Sequence, residues 1–170
     1  MTSAWLVADS DNNPPSAILI AHTAIEPILA DAARYAGRSE RGGIFLGLRR
    51  GPHLEIKEAT LPTRWDRGTM FAFHRAAAGH RAVALQRWRK SGRVMDWVGE
   101  WHSHPERFPS PSSIDLRNWQ QITKSRGDQM AFLIVGYEGM WLGLCRPNCL
   151  KPIRYVEAER SDAGIAFLAQ

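Results

Sequence analysis

Cysteine is scarce in this chain of 170 residues, which contains only Cys145 and Cys149. Two cysteines are too few for the disulfide framework on which small secreted domains depend, so we expect both side chains to remain thiols. Because no histidine lies near them in the sequence, we interpret them as residues that pack in a strand rather than as a metal site. Disulfide bonding is therefore excluded as the main source of stability.

Long apolar runs, internal repeats and low-complexity segments are also lacking. No stretch approaches the roughly 18 to 20 apolar residues that cross a bilayer, and the N-terminal sequence MTSAW lacks a basic segment followed by an apolar stretch. Hydrophobic residues make up 44% and charged residues 23% of the chain, which is the usual mix of a folded domain. We therefore expect a cytoplasmic protein with one domain over residues 1–170 and a core at about 16–157.

The charge of the chain does not point to one class of partner. The 22 Lys and Arg residues exceed the 17 Asp and Glu residues, which gives a net charge of +5. A positive potential attracts nucleic acids and acidic proteins alike. Because the basic residues are scattered rather than gathered in a tail, we interpret them as a solvated surface and do not expect nucleic acid as a partner.

Hydrophobic periodicity and turn residues predict a mixture of helices and strands. Helices are predicted at about 24–36, 74–90 and 112–125. The first should begin with a capping box from Thr23 to Glu26 and stop at Gly37, and Ser112 is a natural N-cap for the third. Strands are predicted at 16–21, 42–48, 53–61, 94–104, 130–137, 140–145 and 151–157. Without strict β-α-β alternation, this order predicts an α/β or α+β domain in which helices flank a mixed sheet of undetermined strand order.

Residues 62–73 are polar and aromatic and follow no helical or strand period. An irregular stretch of this length within a compact domain is more often a functional loop than a spacer. Trp65, Met70 and Phe71 carry flexible or large apolar side chains that can close over a bound molecule and exclude water. We predict that these three residues contact the substrate.

The residues with the strongest chemical signal gather at the end of the predicted strand 94–104. His102 and His104 are two residues apart, so both imidazoles project from one strand face and can reach the same point in space. Asp115 falls in the first turn of the next helix, which the proline-rich segment 105–111 can fold back over the strand end. Two nitrogens and one carboxylate oxygen leave a fourth tetrahedral position for water, as in catalytic zinc sites. The sequence therefore predicts one zinc ion per chain, held by His102, His104 and Asp115.

The spacing as a whole is more specific than any of its parts. His-x-His, seven further residues and Ser-x-x-Asp together resemble the signature of the JAMM (MPN-plus) metallopeptidases. Upstream, the segment ERGGIFLG at 40–47 fits the Glu-x-x-Gly-x-apolar-x-Gly pattern of that family, and Gly99 and Trp101 fit the positions before the histidines. The resemblance covers residues 40 to 115 directly. It implies a single JAMM/MPN-like α/β domain, with a curved mixed sheet flanked by helices as in cytidine deaminases.

The resemblance also implies catalytic roles. Glu40 would hydrogen-bond the zinc water and shuttle its proton, while Ser112 would help to stabilise the oxyanion. Both roles are chemically reasonable, because attack by water needs a carboxylate that accepts a proton and returns it to the leaving amine, and a developing alkoxide needs a donor. Glu100 is a rival, since it shares a strand face with His102 where many relatives carry an aromatic residue. It could act as proton shuttle or extra ligand, or as a carboxylate that steadies an imidazole.

Characterised members of the family mostly cleave peptide or isopeptide bonds after the C-terminal glycine of ubiquitin or ubiquitin-like proteins. The resemblance therefore implies a ubiquitin-like protein or its conjugate as substrate. The compact length resembles stand-alone bacterial members, some of which accompany ubiquitin-like activating and conjugating enzymes in antiphage operons. Precursor processing and deconjugation are both open.

Three alternatives remain at the level of sequence. A peptidase that trims a sulfur-carrier protein would use the same chemistry. Only the neighbouring genes would distinguish this hypothesis from a ubiquitin-like substrate. A RadC-like, DNA-associated domain shares the spacing, but this chain has His-Ser-His-Pro-Glu where that family typically has His-Asn-His-Pro-Ser. A metal-free scaffold would have lost ligands, whereas every motif position is filled here.

Overall fold

The computed structural model describes residues 16–70 and 72–170, so Phe71 and the prediction made for it lie outside the described residues. The helices are α1 (His22–Arg34), α2 (Ala77–Lys90) and α3 (Ser113–Arg126). The strands are β1 (Ala17–Ala21), β2 (Gly42–Arg50), β3 (His53–Ala59), β4 (Arg67–Gly68), β5 (Phe73–His74), β6 (Asp96–Ser103), β7 (Met130–Val135), β8 (Met140–Cys145), β9 (Ile153–Ser161) and β10 (Gly164–Ala169).

In the described part of the chain, the longer strands form a closed barrel in the order β1-β10-β9-β8-β7-β6-β2-β3. The β1–β3 and β6–β7 pairs are parallel and the others are antiparallel. The mixed α/β character predicted from the sequence is confirmed. The expectation of a curved sheet flanked by helices needs correction, because the sheet closes on itself. Closure occurs because residues 164–169, for which no element was predicted, pair with both β9 and β1.

Two apolar clusters stabilise the barrel and fix the helix that carries Asp115. The larger cluster fills the barrel and the space beneath α1. The smaller cluster lies between α3 and the outer face of β7 and β8, where Trp119 stacks on Phe132 and Trp141 with ring centroids 4.7 and 5.4 Å apart. Trp119 and Trp141 are buried, and Trp97 packs partly buried against the same cluster. This packing sets α3 beside the end of β6.

The ends of α1 differ from the prediction. Its N-cap is Ala21, the last residue of β1, which makes no side-chain capping bond, so the predicted capping box at 23–26 is wrong. The Thr23 hydroxyl instead donates to the carbonyl of Lys57 over 2.9 Å. The helix ends at Arg34, before Gly37, whose φ is +71°. Because the strand leads directly into the helix, no separate capping segment fits between them.

The predicted irregular loop lies between β3 and α2. Within it, Arg67 and Gly68 pair with His74 and Phe73, so β4 and β5 form a short ribbon. Residue 74, predicted to begin a helix, belongs to this ribbon, and α2 begins only at Ala77. None of the described helices is long and apolar enough to cross a bilayer.

The two cysteines are free thiols in different environments. Cys145 is buried at the end of β8 in the smaller cluster, as predicted, and burial raises the pKa of its thiol to about 12. Cys149 is exposed in the turn after the strand, so the prediction of strand packing is wrong for this residue.

Candidate metal centre

The two histidines of the sequence motif lie at the end of β6, the barrel strand between β7 and β2. His102 lies opposite Gly42 of β2 and Ile134 of β7, so a strand on each side fixes its backbone. His104 lies just beyond the strand, where its N–H donates to the carbonyl of Val135 over 2.9 Å. The two Nε2 atoms are 3.0 Å apart. Strand alternation therefore brings both imidazoles to one point, as their spacing predicts.

Asp115 reaches the same point from the first turn of α3. Its Oδ1 is 3.3 Å from Nε2 of His102, and its Oδ2 is 3.5 Å from Nε2 of His104. Burial alone would raise the pKa of this carboxyl, but hydrogen bonds from both imidazoles and from Ser112 outweigh that effect and hold its pKa well below the ordinary value. The carboxylate is therefore ionised and available as a ligand.

The donor set fits a zinc ion. Ligand atoms about 2.0 to 2.1 Å from a tetrahedral zinc lie about 3.3 Å from one another, close to the separations of 3.0, 3.3 and 3.5 Å found here. Within the described residues, His102, His104 and Asp115 are the one group of at least three metal-binding side chains whose donor atoms converge. Their side chains keep 10 to 16% of their surface exposed. The group therefore faces a groove, as a catalytic site requires, rather than being closed off.

Glu40 lies immediately before β2, next to the metal group. It is buried and lines the groove together with His104. Burial raises the pKa of its carboxyl, and the neighbouring imidazoles of His104 and His102 offset part of that rise. The structure thus brings Glu40 together with the histidines, although about 60 residues separate them in the chain.

The backbone around Glu40 is fixed from three sides. Its own N–H donates to the carbonyl of Thr69 over 2.7 Å. The next residue, Arg41, exchanges two bonds with Ser103, the residue between the histidines: its N–H donates to the Ser103 hydroxyl over 2.9 Å, and its carbonyl accepts from the Ser103 N–H over 2.8 Å. The Arg41 guanidinium forms two hydrogen bonds with Asp31 of α1, at 2.7 and 3.0 Å. The sequence assigned no role to these residues, because Arg41 and Ser103 fill variable positions of the motif and Asp31 and Thr69 lie outside it.

Ser112 caps α3 and also orients the Asp115 carboxylate. Its hydroxyl accepts from the Asp115 N–H over 3.2 Å and donates to Asp115 Oδ2 over 2.6 Å. The Ser112 N–H donates to the same carboxylate oxygen over 2.7 Å, which completes a capping box. The predicted cap is confirmed, whereas the oxyanion role stays a prediction. In that role the hydroxyl would have to leave Asp115.

Glu100, the rival carboxylate, shares the groove but forms an ion pair with Arg75. Burial raises the pKa of Glu100, and the Arg75 guanidinium opposes the rise. The carboxylate is not part of the converging metal group. Arg75 is a further residue that the sequence did not single out, because nothing in the loop pattern indicates which strand residue it meets.

Two depressions meet at Glu40 and His104. The narrow one holds about 20 Å³ and is lined on its outer side by Tyr35, Met70 and Tyr137. The wide one holds about 660 Å³ and runs between α3 and the β4–β5 ribbon. Of the predicted substrate contacts, Met70 therefore lies at the site. Trp65 lies outside both depressions, with 57% of its surface exposed and the Arg64 guanidinium 4.3 Å from its ring centroid.

Comparison with known proteins identifies relatives of this chain. The family described as prokaryotic homologs of the JAB domain matches residues 22–144. A protein of Pseudomonas aeruginosa (strain BWHPSA011 / Pa011) named CD-NTase/cGAS isopeptidase is 40% identical over 107 residues, which cover 62% of this chain and 68% of the relative. A protein of Escherichia coli (strain TW11681) with the same name is 33% identical over 116 residues, covering 68% and 74%.

A more distant relative and a solved structure extend the comparison. The probable metalloprotease y4qB of Sinorhizobium fredii is 29% identical over 117 residues, covering 65% of this chain and 68% of the relative. The solution structure of protein DSY2949 from Desulfitobacterium hafniense matches with a TM-score of 0.59 and 21% identity, covering 79% of this chain and 88% of that one. The latter likeness concerns the fold alone.

Proposed function

Because this chain belongs to the family of prokaryotic homologs of the JAB domain, we propose that it is a zinc-dependent metallopeptidase. It hydrolyses the bond after the C-terminal glycine of a ubiquitin-like protein. The observation that carries the proposal is the convergence of His102, His104 and Asp115 beside buried Glu40, at the floor of an open groove. The relatives named isopeptidase and probable metalloprotease support hydrolysis of an amide bond with the help of a metal.

In the proposed mechanism, the metal group and Glu40 have separate roles at the floor of the groove. His102, His104 and Asp115 would hold a zinc ion, which would supply Lewis-acid chemistry for the attack of water on the scissile carbonyl. Glu40 accepts a proton from the attacking water and delivers it to the leaving nitrogen as the carbon–nitrogen bond breaks. The products are the glycine carboxylate and a free amine. Ser112 donates to the developing oxyanion when its hydroxyl turns from Asp115.

The shape of the site supports a substrate tail that lacks side chains. The narrow depression beside Glu40 is lined by Tyr35 and Met70 and holds only about 20 Å³, which supports a substrate tail without side chains. The barrel strands are closed on themselves in the described part of the chain, so an extended peptide finds backbone edges near the site on the β4–β5 ribbon. Trp65 and Met70, and Phe71 by its place in the sequence, would then close over the tail.

The names of the relatives support a biological setting for this activity. Because two relatives are named CD-NTase/cGAS isopeptidase, we propose that this enzyme releases a ubiquitin-like protein from a CD-NTase in the cytoplasm. Activating and conjugating enzymes of the same operon would make that conjugate. We also propose that residues 1–170 act as one domain.

The test is a cleavage assay with purified, zinc-loaded protein. The substrates are a ubiquitin-like protein fused through its C-terminal glycine to a second protein, a matched fusion in which that glycine is replaced by phenylalanine, and a sulfur-carrier protein with a C-terminal extension. We expect cleavage of the glycine fusion, loss of cleavage with a zinc chelator, and no cleavage of the phenylalanine fusion. Cleavage of the sulfur-carrier protein alone would replace the proposed substrate. DNA binding without any peptide cleavage would overturn the proposal.

A further inference from the structure

A second polar cluster lies apart from the metal group. It joins the buried face of α2 to the segment between β3 and α2. His80 is completely buried. Its Nε2 lies 2.9 Å from Asp66 Oδ2 and its Nδ1 lies 2.6 Å from the Thr60 hydroxyl. We refer to these three side chains as the Asp66–His80–Thr60 relay. The sequence indicated no partner for His80, because its partners lie 14 and 20 residues away in irregular segments.

Every member of the relay has a hydrogen-bond partner. The Asp66 carboxylate can only accept, so Nε2 of His80 carries the proton that is donated to it. In the neutral imidazole Nδ1 accepts from the Thr60 hydroxyl, whose oxygen in turn accepts the N–H of Ile44 on β2 over 2.9 Å. The relay therefore connects the loop to the barrel strand that begins two residues after Glu40. A fully satisfied buried network specifies one geometry, which apolar packing does less well.

Asp66 also holds together the two ends of the loop that carries the β4–β5 ribbon. Its Oδ2 accepts the N–H and the hydroxyl of Thr63, at 2.5 and 3.0 Å, at the beginning of the loop. Its Oδ1 accepts the N–H of Ala76 over 2.6 Å, at the end of the loop. One carboxylate, itself tied to a buried imidazole, thus closes the base of the loop.

The tip of the same loop lies against the backbone of Glu40. The carbonyl of Thr69 accepts the Glu40 N–H over 2.7 Å. A Cβ atom at Gly68 would lie 2.2 Å from the Glu40 carbonyl oxygen, so the ribbon fits against Glu40 without space between them. Met70, the next residue of the tip, lines the narrow depression. A shift of the loop base therefore moves both the support of Glu40 and one wall of the depression.

We propose that the Asp66–His80–Thr60 relay positions Glu40 for the reaction, by fixing the base of the loop whose tip holds the Glu40 backbone. Asp66, His80 and Thr60 are positioning residues that act through Thr69 and do not touch the metal group. The catalytic part of this inference rests on the proposed function. The structural part, that the relay holds the Glu40 backbone in place, is independent of the proposed function.

The test uses Asp66→Asn and Thr60→Val, with Thr60→Ser as the conservative variant that keeps the hydroxyl. Thr123→Val is the matched control, because the Thr123 hydroxyl is also completely buried but has no hydrogen-bond partner among the described residues. The readouts are hydrogen exchange of the Glu40 amide by NMR, trypsin cleavage after Arg64 and Arg67, zinc content, and kcat and KM on the glycine fusion.

For Asp66→Asn and Thr60→Val we expect faster exchange at Glu40, faster cleavage in the loop, and unchanged zinc content. We expect kcat to fall about 10- to 100-fold, since small displacements of a catalytic group are costly. Thr60→Ser and Thr123→Val should behave like the unmodified protein. If Thr60→Val does not fold, Asp66→Asn and Thr60→Ser still decide the matter.

The outcomes separate this inference from the proposed function. If the Asp66→Asn variant folds and the hydrogen exchange of its Glu40 amide is unchanged, the inference is overturned, even if the enzyme is an active peptidase. Faster exchange at Glu40 with unchanged kcat also overturns it, because the relay would then anchor the loop without positioning the base. Faster exchange in a protein that cleaves none of the substrates would support the structural part and count against the proposed function instead.

Discussion

Replacement of Ser112 by alanine tests whether this hydroxyl acts on the metal ligand or on the substrate. In the structure the hydroxyl accepts the Asp115 N–H and donates to Asp115 Oδ2, the oxygen that faces His104. Loss of the N-cap should destabilise the protein by about 1 kcal/mol. Loss of a bond that orients a ligating carboxylate typically weakens metal binding by about 10- to 100-fold. We therefore expect Ser112→Ala to lower the zinc affinity as well as the folding stability.

The assay combines zinc titration against a competing chelator, thermal unfolding, and kcat at saturating zinc. Ser112→Thr is the control, because it keeps the hydroxyl and the cap. If the variant binds zinc weakly but regains most of its kcat at saturating zinc, the hydroxyl acts through Asp115. A fall in kcat of about 10- to 1,000-fold that persists at saturating zinc would support the proposed oxyanion role as well. Unchanged zinc affinity and unchanged stability would refute the role of the hydroxyl on Asp115.

Five further substitutions have defined outcomes. His104→Ala should remove most bound zinc, measured by metal analysis, because one of three ligands is lost; full metal content would contradict the site. Glu40→Gln should keep zinc and lose most turnover, whereas Glu100→Gln, whose carboxylate is already paired with Arg75, should be milder; the reverse order would exchange their roles. Trp65→Ala should raise KM more than it lowers kcat, since this exposed side chain lies away from the metal; an effect on kcat alone would count against a substrate contact. Burial alone would raise the pKa of Asp66, but its backbone hydrogen bonds and His80 lower it. Its contribution to stability is therefore full above the ordinary carboxyl pKa and is lost as the pH falls through its lowered value, so Asp66→Asn should flatten the acid side of the stability curve measured by denaturant unfolding.

The parts of the site that were predictable from the sequence depend on short-range geometry. Strand alternation places His102 and His104 on one face, and the cap at Ser112 places Asp115 in the first turn of α3. Such relations hold over a few residues whatever the rest of the chain does. Closure of the barrel is different in kind, because it depends on pairing between β1 and β10, more than 140 residues apart. Nothing in the short run 164–169 indicates that partner.

The position of Glu40 shows why a motif can identify a residue without explaining how it is held. Its neighbour Arg41 is bound by Asp31 on α1 and by Ser103 on β6, and its own amide is bound by Thr69 on the loop. Each of these contacts comes from a different element and joins residues that no local period relates. Local structure thus sets the two histidines on β6 and Asp115 within its helix turn, packing of α3 brings the two segments together, and tertiary contacts hold the backbone of Glu40. Substitutions far from the groove that disturb those contacts should therefore impair turnover while leaving the metal bound, whereas substitutions in β6 or the first turn of α3 should impair both together.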